Sequence, residues 1–250
     1  MKTLSRRLFL AALLLGWVQG ASAQTADEVI EKHLTAIGGR AALAKLKSRT
    51  ITGTMTISTP GGDVSGPIEI VTQAPNKSRT LLKMDLTAVG GGPIVIDQRF
   101  DGNTGYVLDT LQGDRDISGN QLDNMRNAEF PNPLLNYKAM GMTAKLGGKE
   151  KAGARDAYVL ILEPTSGSVV RQYLDAATYL PIQVVMTINM LQFGDVEQTT
   201  EFSDFRDVDG VKIPFLTKAT SSVQTMSIAI TKVEHNMKID EALFAKPAAK

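Results

Sequence analysis

The chain has 250 residues, 43% of them hydrophobic, a formal net charge of +1 and no cysteine. Disulfide scaffolds, thiol nucleophiles, thiolate zinc sites and a lipid-modified N-terminal cysteine are therefore excluded, and near-neutrality offers no basis for binding nucleic acid. Two histidines, His33 and His235, leave little material for proton shuttling or metal ligation.

Residues 1–23 read as an export signal. Lys2, Arg6 and Arg7 precede an apolar run from Leu8 to Val18, and Ala21-Ser22-Ala23 forms a small-residue cleavage pattern. Ser5-Arg6-Arg7-Leu8-Phe9-Leu10 also resembles a twin-arginine signal, so either the general secretory or the twin-arginine route fits. The run is too short to span a bilayer, and no later segment is an integral membrane segment. Residues 24–250 are expected to be a single periplasmic domain, with 24 basic and 26 acidic side chains, net −2, and no tryptophan once Trp17 is removed.

Thr25-Ala26-Asp27-Glu28 has capping-box spacing, and Val29, Ile30, Leu34 and Ile37 share one face of the helix it opens. Gly38-Gly39 supplies a stop, and a short helix over residues 40–46 leads into strands. The period then becomes 2. Four threonines alternate with Ile51, Gly53, Met55 and Ile57, and residues 182–190 alternate likewise. Further strands are expected at 67–73, 78–86, 94–100, 104–109, 157–163, 168–175, 196–205, 211–221 and 224–234, with a weaker one near 143–149. Short turns between them imply an antiparallel meander of about a dozen strands. The interruption is residues 117–140, a helix with Leu122 and Met125 on one face, then Phe130, Leu134 and Leu135 in a proline-broken stretch.

Catalytic and metal motifs are incomplete. Asp114-x-Asp116-x-Ser118-Gly119 opens like a calcium loop, but its twelfth position is Met125, so a turn capping the next helix is the preferred reading. Asp204, Asp207 and Asp209 with Gly210 read as a hairpin turn. No G-x-S-x-G serine elbow occurs, and Gly90-Gly91-Gly92 lacks the strand-to-helix setting of a phosphate loop. His33 and His235 are expected in surface or capping roles. Lys77 and Arg79 read as a solvated hairpin end or as contacts at a cavity rim. No catalytic residue, metal ligand or cofactor is assigned.

Several segments together resemble the outer-membrane lipoprotein-sorting (LolA/LolB-like) family: residues 36–48 (AIGGRAALAKLKS) with Gly53, Ala74-Pro75-Asn76-Lys77, residues 100–106 (FDGNTGY), Leu174-Asp175 through Leu180-Pro181, residues 202–214 (FSDFRDVDGVKIP) and Ile239-Asp240 to Phe244. The resemblance covers nearly the whole chain after the signal. It implies a mainly β fold: an incomplete, half-open antiparallel barrel of about eleven strands, with helical lid segments over an apolar cavity that holds acyl chains. Residues 25–46 and 117–140 are available for the lid. The carrier's cavity is rich in aromatics including tryptophan, which this chain lacks after residue 23.

The implied function is a non-catalytic carrier or chaperone for lipid or lipidated protein. The alternative is an envelope-stress sensor or interaction module of the same fold that binds an envelope protein without lipid. Candidate cavity residues are Met55, Met84, Met186, Ile188, Met190, Met226 and Ile228, adaptable side chains at alternating positions. The lid candidates are Leu122, Met125, Phe130, Leu134 and Leu135, and the rim candidates are Arg49 and Arg79. Parity alone does not say which strand face is concave.

Overall fold

A computed structural model describes residues 24–59, 62–87, 90–190 and 193–247. Residues 1–23, which the sequence reads as an export signal, lie outside the described residues. The helix α1 (Ala26–Ala36) begins at the expected box: Thr25 Oγ1 accepts from the Glu28 backbone amide and Glu28 Oε2 from that of Thr25, each at 3.2 Å. It ends where Gly38 and Gly39 take φ of +131° and +85°. At Gly38 a Cβ would stand 2.4 Å from the Gly210 carbonyl oxygen, so glycine is required for close docking as well as for conformation. The next helix, α2, is a single turn (Arg40–Leu43), shorter than the expected 40–46.

Thirteen strands follow: β1 (Ser48–Thr59), β2 (Gly62–Gln73), β3 (Lys77–Asp85), β4 (Pro93–Phe100), β5 (Gly105–Asp109), β6 (Arg115–Ile117), β7 (Thr143–Ala152), β8 (Arg155–Glu163), β9 (Val170–Asp175), β10 (Pro181–Met190), β11 (Gly194–Val208), β12 (Val211–Thr220) and β13 (Thr225–His235). They make one sheet in the order β6-β5-β4-β3-β2-β1-β13-β12-β11-β10-β9-β8-β7. Among the described residues every ladder is antiparallel and β6 and β7 are edges without a second partner strand, so the barrel is open. The count exceeds the eleven implied by resemblance. Both halves of the chain are meanders, and β1 joins them by pairing with β13. A bulge at Thr52/Gly53 lies in that seam, where a Cβ on Gly53 would come 2.4 Å from the Ala229 carbonyl.

The register decides which side chains share a face. Cross-strand pairs Ile68–Leu82 and Leu82–Ile96 join Met55–Ile228, Ile57–Met226 and Met84–Ile94 on one side of the sheet. Ile68, Leu82 and Met84 are buried there, with Met55, Ile57, Ile94, Ile96 and Ile228 packed against them. At the other end of this inner face, α1 inserts Ile30, Leu34 and Ile37 among Leu160, Leu162, Ile213 and Phe215. Phe130, Leu134 and Tyr137 join the same core. The helix α1 and the stretch after residue 128 therefore plug one end of the trough.

The C-terminal tail covers part of the opposite face. The tail buries Phe244, while Arg99 donates to the Ala245 carbonyl at 3.2 Å and Glu241 pairs with Lys77. Beneath the tail, Asp97, 6% exposed at its side chain, receives Arg79 at 2.8 Å and Arg99 at 2.7 Å. Burial alone would raise the Asp97 pKa. The two guanidiniums outweigh it and hold the carboxyl below its ordinary value.

Candidate functional site: an apolar trough with an amide rim

The helix α3 (Gly119–Asn127) begins at Ser118 and crosses the open side of the sheet with no fully buried residue. It is tied down by polar contacts: Asn124 Nδ2 donates to Ser168 Oγ at 3.1 Å, and that hydroxyl donates to the Thr187 carbonyl on β10 at 2.7 Å. Leu122 and Met125 are only half-buried, because this helix is held by amides at its flank and has little apolar packing. The space left between its first turn and the sheet is a cavity of about 800 Å³, well within the range of small-molecule sites.

One cavity wall comes from β1–β4 and the other from the β10–β11 hairpin. In the sheet β4 and β10 are seven strand spacings apart, roughly 34 Å if the sheet were flat. Their sharing one cavity measures how far the sheet curls. The floor is Met55, Ile57, Ile68, Leu82, Ile94 and Ile96. Around the mouth stand the carboxamides of Gln98, Gln112, Asn120, Gln121, Asn189 and Gln224. Gln98 Oε1 accepts from Gln121 at 3.4 Å. Among the described residues the Nε2 groups of Gln98 and Gln224 meet thioether sulfurs alone, those of Met125 at 4.0 Å and Met226 at 3.4 Å. These are weak partners, so the amides retain donor capacity for a bound group. Leu111 and Phe193, 61% and 57% exposed, flank the mouth on separate turns.

Of the sequence candidates, Met55, Met190 and Met226 lie on this wall. Met84 is buried beside the floor and Ile228 packs against it. Met186 and Ile188 share the inner face with Met190, as the pairs Met186–Val170 and Ile188–Val196 show, but they do not line the cavity. Phe130 and Leu134 fill the core at the plugged end, with Leu135 packed against it, away from the cavity. Arg79 projects to the other face onto Asp97. Arg49 is deep beneath the Phe130 ring, not on the cavity mouth.

Both histidines were expected in surface or capping roles, and neither is on the surface. His33 is 1% exposed because α1 turns it inward with Val29, Ile30 and Leu34. The His235 side chain is 2% exposed, bonded at Nδ1 to Asp209 (2.9 Å) and at Nε2 to Arg49 (3.0 Å). The residues that sequence reasoning missed are the amides and the two exposed apolar flanks. An alternating amide has the pattern of any solvated strand position, so no local signal distinguishes it.

The acids near the mouth have structural partners. Asp109 caps the Leu111 and Gln112 amides, Asp114 accepts from the Asp109 amide and the Tyr106 hydroxyl, and Asp116 pairs with Lys246. Asp114 and Asp116 thus serve separate partners instead of converging on one cation. Among the described residues no group of three potential ligands is placed to hold a metal.

Solved structures share this arrangement of strands. A LolA superfamily protein from Nitrosomonas europaea superposes over 90% of this chain and 99% of its own at TM-score 0.57 and 14% identity. An outer-membrane lipoprotein-sorting protein domain from Vibrio parahaemolyticus matches over 88% of this chain and 95% of its own, at TM-score 0.56 and 14% identity. The fold is that of the lipoprotein-sorting proteins. A DUF1329 family protein from Desulfovibrio piger shares this LolA-like fold over 88% of this chain and 97% of its own, with TM-score 0.56 and 14% identity. No protein-family model matches the sequence, and no curated protein matches it. The half-open antiparallel architecture and its helical segments are thus those of a LolA-like fold. Among the described residues no helix is long and apolar enough to cross a membrane.

Proposed function

We propose that this protein is a soluble exported carrier that shelters acyl chains of lipid or lipidated protein in the trough, without catalysis and in the periplasm. The observation that carries this reading is the 800 Å³ cavity with an aliphatic floor and an amide mouth. Apolar side chains facing a space that large are not satisfied by one another, and an acyl chain supplies the missing contacts. Each methylene transferred from water contributes about 0.8 kcal/mol, so ten yield about 8 kcal/mol gross before association costs. Amides at the mouth fit a neutral, hydrogen-bonding head such as a glycerol ester or peptide bond. Against catalysis stand the local acids, each occupied by a backbone amide, a lysine or an asparagine.

The test is mass spectrometry of lipid co-purifying with the protein, joined to displacement of a fluorescent fatty acid. Saturable displacement supports the carrier. A protein free of lipid that binds no probe overturns it, and capture of one envelope protein without lipid would establish the interaction module instead.

A further inference from the structure

A second, smaller pocket of about 170 Å³ lies under α1, room for about five water-sized groups. Arg49, Lys212, His33, Gln172 and Asn132 are among its lining residues, and among the described residues no acidic residue is. Its polar groups are incompletely used. His33 Nδ1 lies 3.0 Å from the Tyr179 carbonyl oxygen. A carbonyl only accepts, so Nδ1 carries the proton and Nε2 presents a lone pair. Among the described residues that Nε2 has no hydrogen-bond partner, although the ring is buried.

Arg49 has the complementary need. Its Nε donates to His235 Nε2 at 3.0 Å and the Phe130 ring lies 5.1 Å from its Cζ. Among the described residues no carboxylate pairs with it and no acceptor meets its two terminal nitrogens. Burial lowers its pKa to about 10, which leaves it cationic at neutral pH. Lys212 is held at 2.9 Å by Asp207, leaving Arg49 as the uncompensated charge. A neighbour that accepts from a guanidinium and donates to an imidazole lone pair would complete both groups.

We propose that this pocket binds a hydrogen phosphate group, either free inorganic phosphate or the phosphomonoester head of an amphiphile. Its charged oxygens accept from the terminal nitrogens of Arg49, and its O–H donates to His33 Nε2. A carboxylate or sulfate supplies the acceptors but lacks the proton. Burial also pushes the His33 pKa down, which favours the neutral ring and its lone pair. The site is separate from the cavity of the carrier reading and stands without it.

The test uses protein labelled with ¹⁵N-histidine, whose two imidazoles after the signal segment give two sets of ring signals. At about pH 6 roughly half of a phosphomonoester keeps its O–H. Titrations at constant ionic strength compare inorganic phosphate, dodecyl phosphate and sulfate. The expected result is a saturable shift of His33 Nε2 with a phosphate compound, sulfate binding being at least about tenfold weaker, and a loss of about tenfold or more in Arg49→Met. A response to inorganic phosphate assigns the free anion, and a response to dodecyl phosphate alone assigns the amphiphile head. Absence of a saturable His33 shift with either compound overturns the proposal, as does equal binding of sulfate or undiminished binding by a folded Arg49→Met. The wild-type comparison with sulfate decides the matter even where that variant fails to fold. A fluorescent fatty acid, which carries no phosphate, tests the larger cavity separately.

Discussion

Arg79 grips Asp97 through both carboxylate oxygens, Nε to Oδ1 at 2.8 Å and Nη2 to Oδ2 at 2.9 Å, on the face of the sheet opposite the cavity. Arg99 shares Oδ2 at 2.7 Å and anchors the C-terminal tail through the Ala245 carbonyl. One carboxylate thus holds β3, β4 and the tail in a single ion network. The Asp97→Asn variant leaves two half-buried guanidiniums without their anion, and should lose roughly 3 kcal/mol at pH 7, the lower end for breaking a buried pair.

The pH dependence of that loss has a definite sign. The folded-state pKa of Asp97 lies below its ordinary value of 3.8. Its stabilisation is therefore fully present above about pH 4 and disappears as the pH falls through the folded value. Urea denaturation of wild type and Asp97→Asn should differ most at neutral pH and converge in strong acid. A difference that stays constant down to about pH 2 would show that Asp97 acts through packing alone.

Gly66 supplies a second prediction because β3 passes so close to it. A Cβ at Gly66 would lie 1.9 Å from the Lys83 carbonyl oxygen and 3.0 Å from Met84 Cγ. Gly66→Ala must push β2 away from β3 beside the cavity floor, and overpacking of this kind costs about 3 kcal/mol when backbone is involved. Gly92→Ala is the comparison, since nothing lies within 4 Å of its added methyl. Thermal unfolding should show a large drop for the first and a change within about 0.5 kcal/mol for the second. Equal melting temperatures would mean that β2 and β3 are more loosely coupled than their ladder implies.

These residues also mark what was legible in the sequence. Strand alternation made most of the ladders readable, and Thr25 with Glu28 announced α1 directly. The three-residue strand β6 was not legible, because Arg115–Ile117 is too short to show a period and its Asp116 falls in a stretch that reads as a capping turn. The same ambiguity hid the site. Met55 and Met84 have equal sequence credentials, yet one lines the cavity and the other is buried beside it. The difference arises from curvature, which sets how much room remains above each position and leaves no trace in local pattern. His33 and Arg49 were misplaced for a related reason. Their burial depends on α1 and the Phe130 stretch docking from distant parts of the chain.

At the mouth, Leu111 and Phe193 carry exposed apolar surface that contributes little to the core. Replacing both by serine should change stability by no more than about 0.5 kcal/mol per site. If acyl chains enter here, these side chains give the incoming chain its first dry contact, and their loss should slow uptake from donor vesicles several-fold with little change in final affinity. Stopped-flow transfer of a fluorescent fatty acid separates the two quantities. An unchanged uptake rate in the double variant would place the entrance elsewhere.

The cavity wall itself can be made to report its contents. Trp17 is the chain's one tryptophan, so residues 24–250 contain none. Met226→Trp places an indole on the wall beside Gln224. Leu216→Trp places one on the opposite face, since Leu216 pairs with Ala229 and Ala229 with Thr54 across the seam. A bound acyl chain removes water from the first indole and leaves the second as it was. Addition of dodecanoic acid should therefore shift the emission of Met226→Trp to the blue, with saturation, while that of Leu216→Trp stays constant. The larger indole also takes up cavity space, so Met226→Trp should bind long chains more weakly than wild type in a displacement assay. A shift of equal size at both positions would indicate detergent-like adsorption to the sheet. No shift at position 226 in protein shown to be free of lipid would remove the acyl chain from the trough.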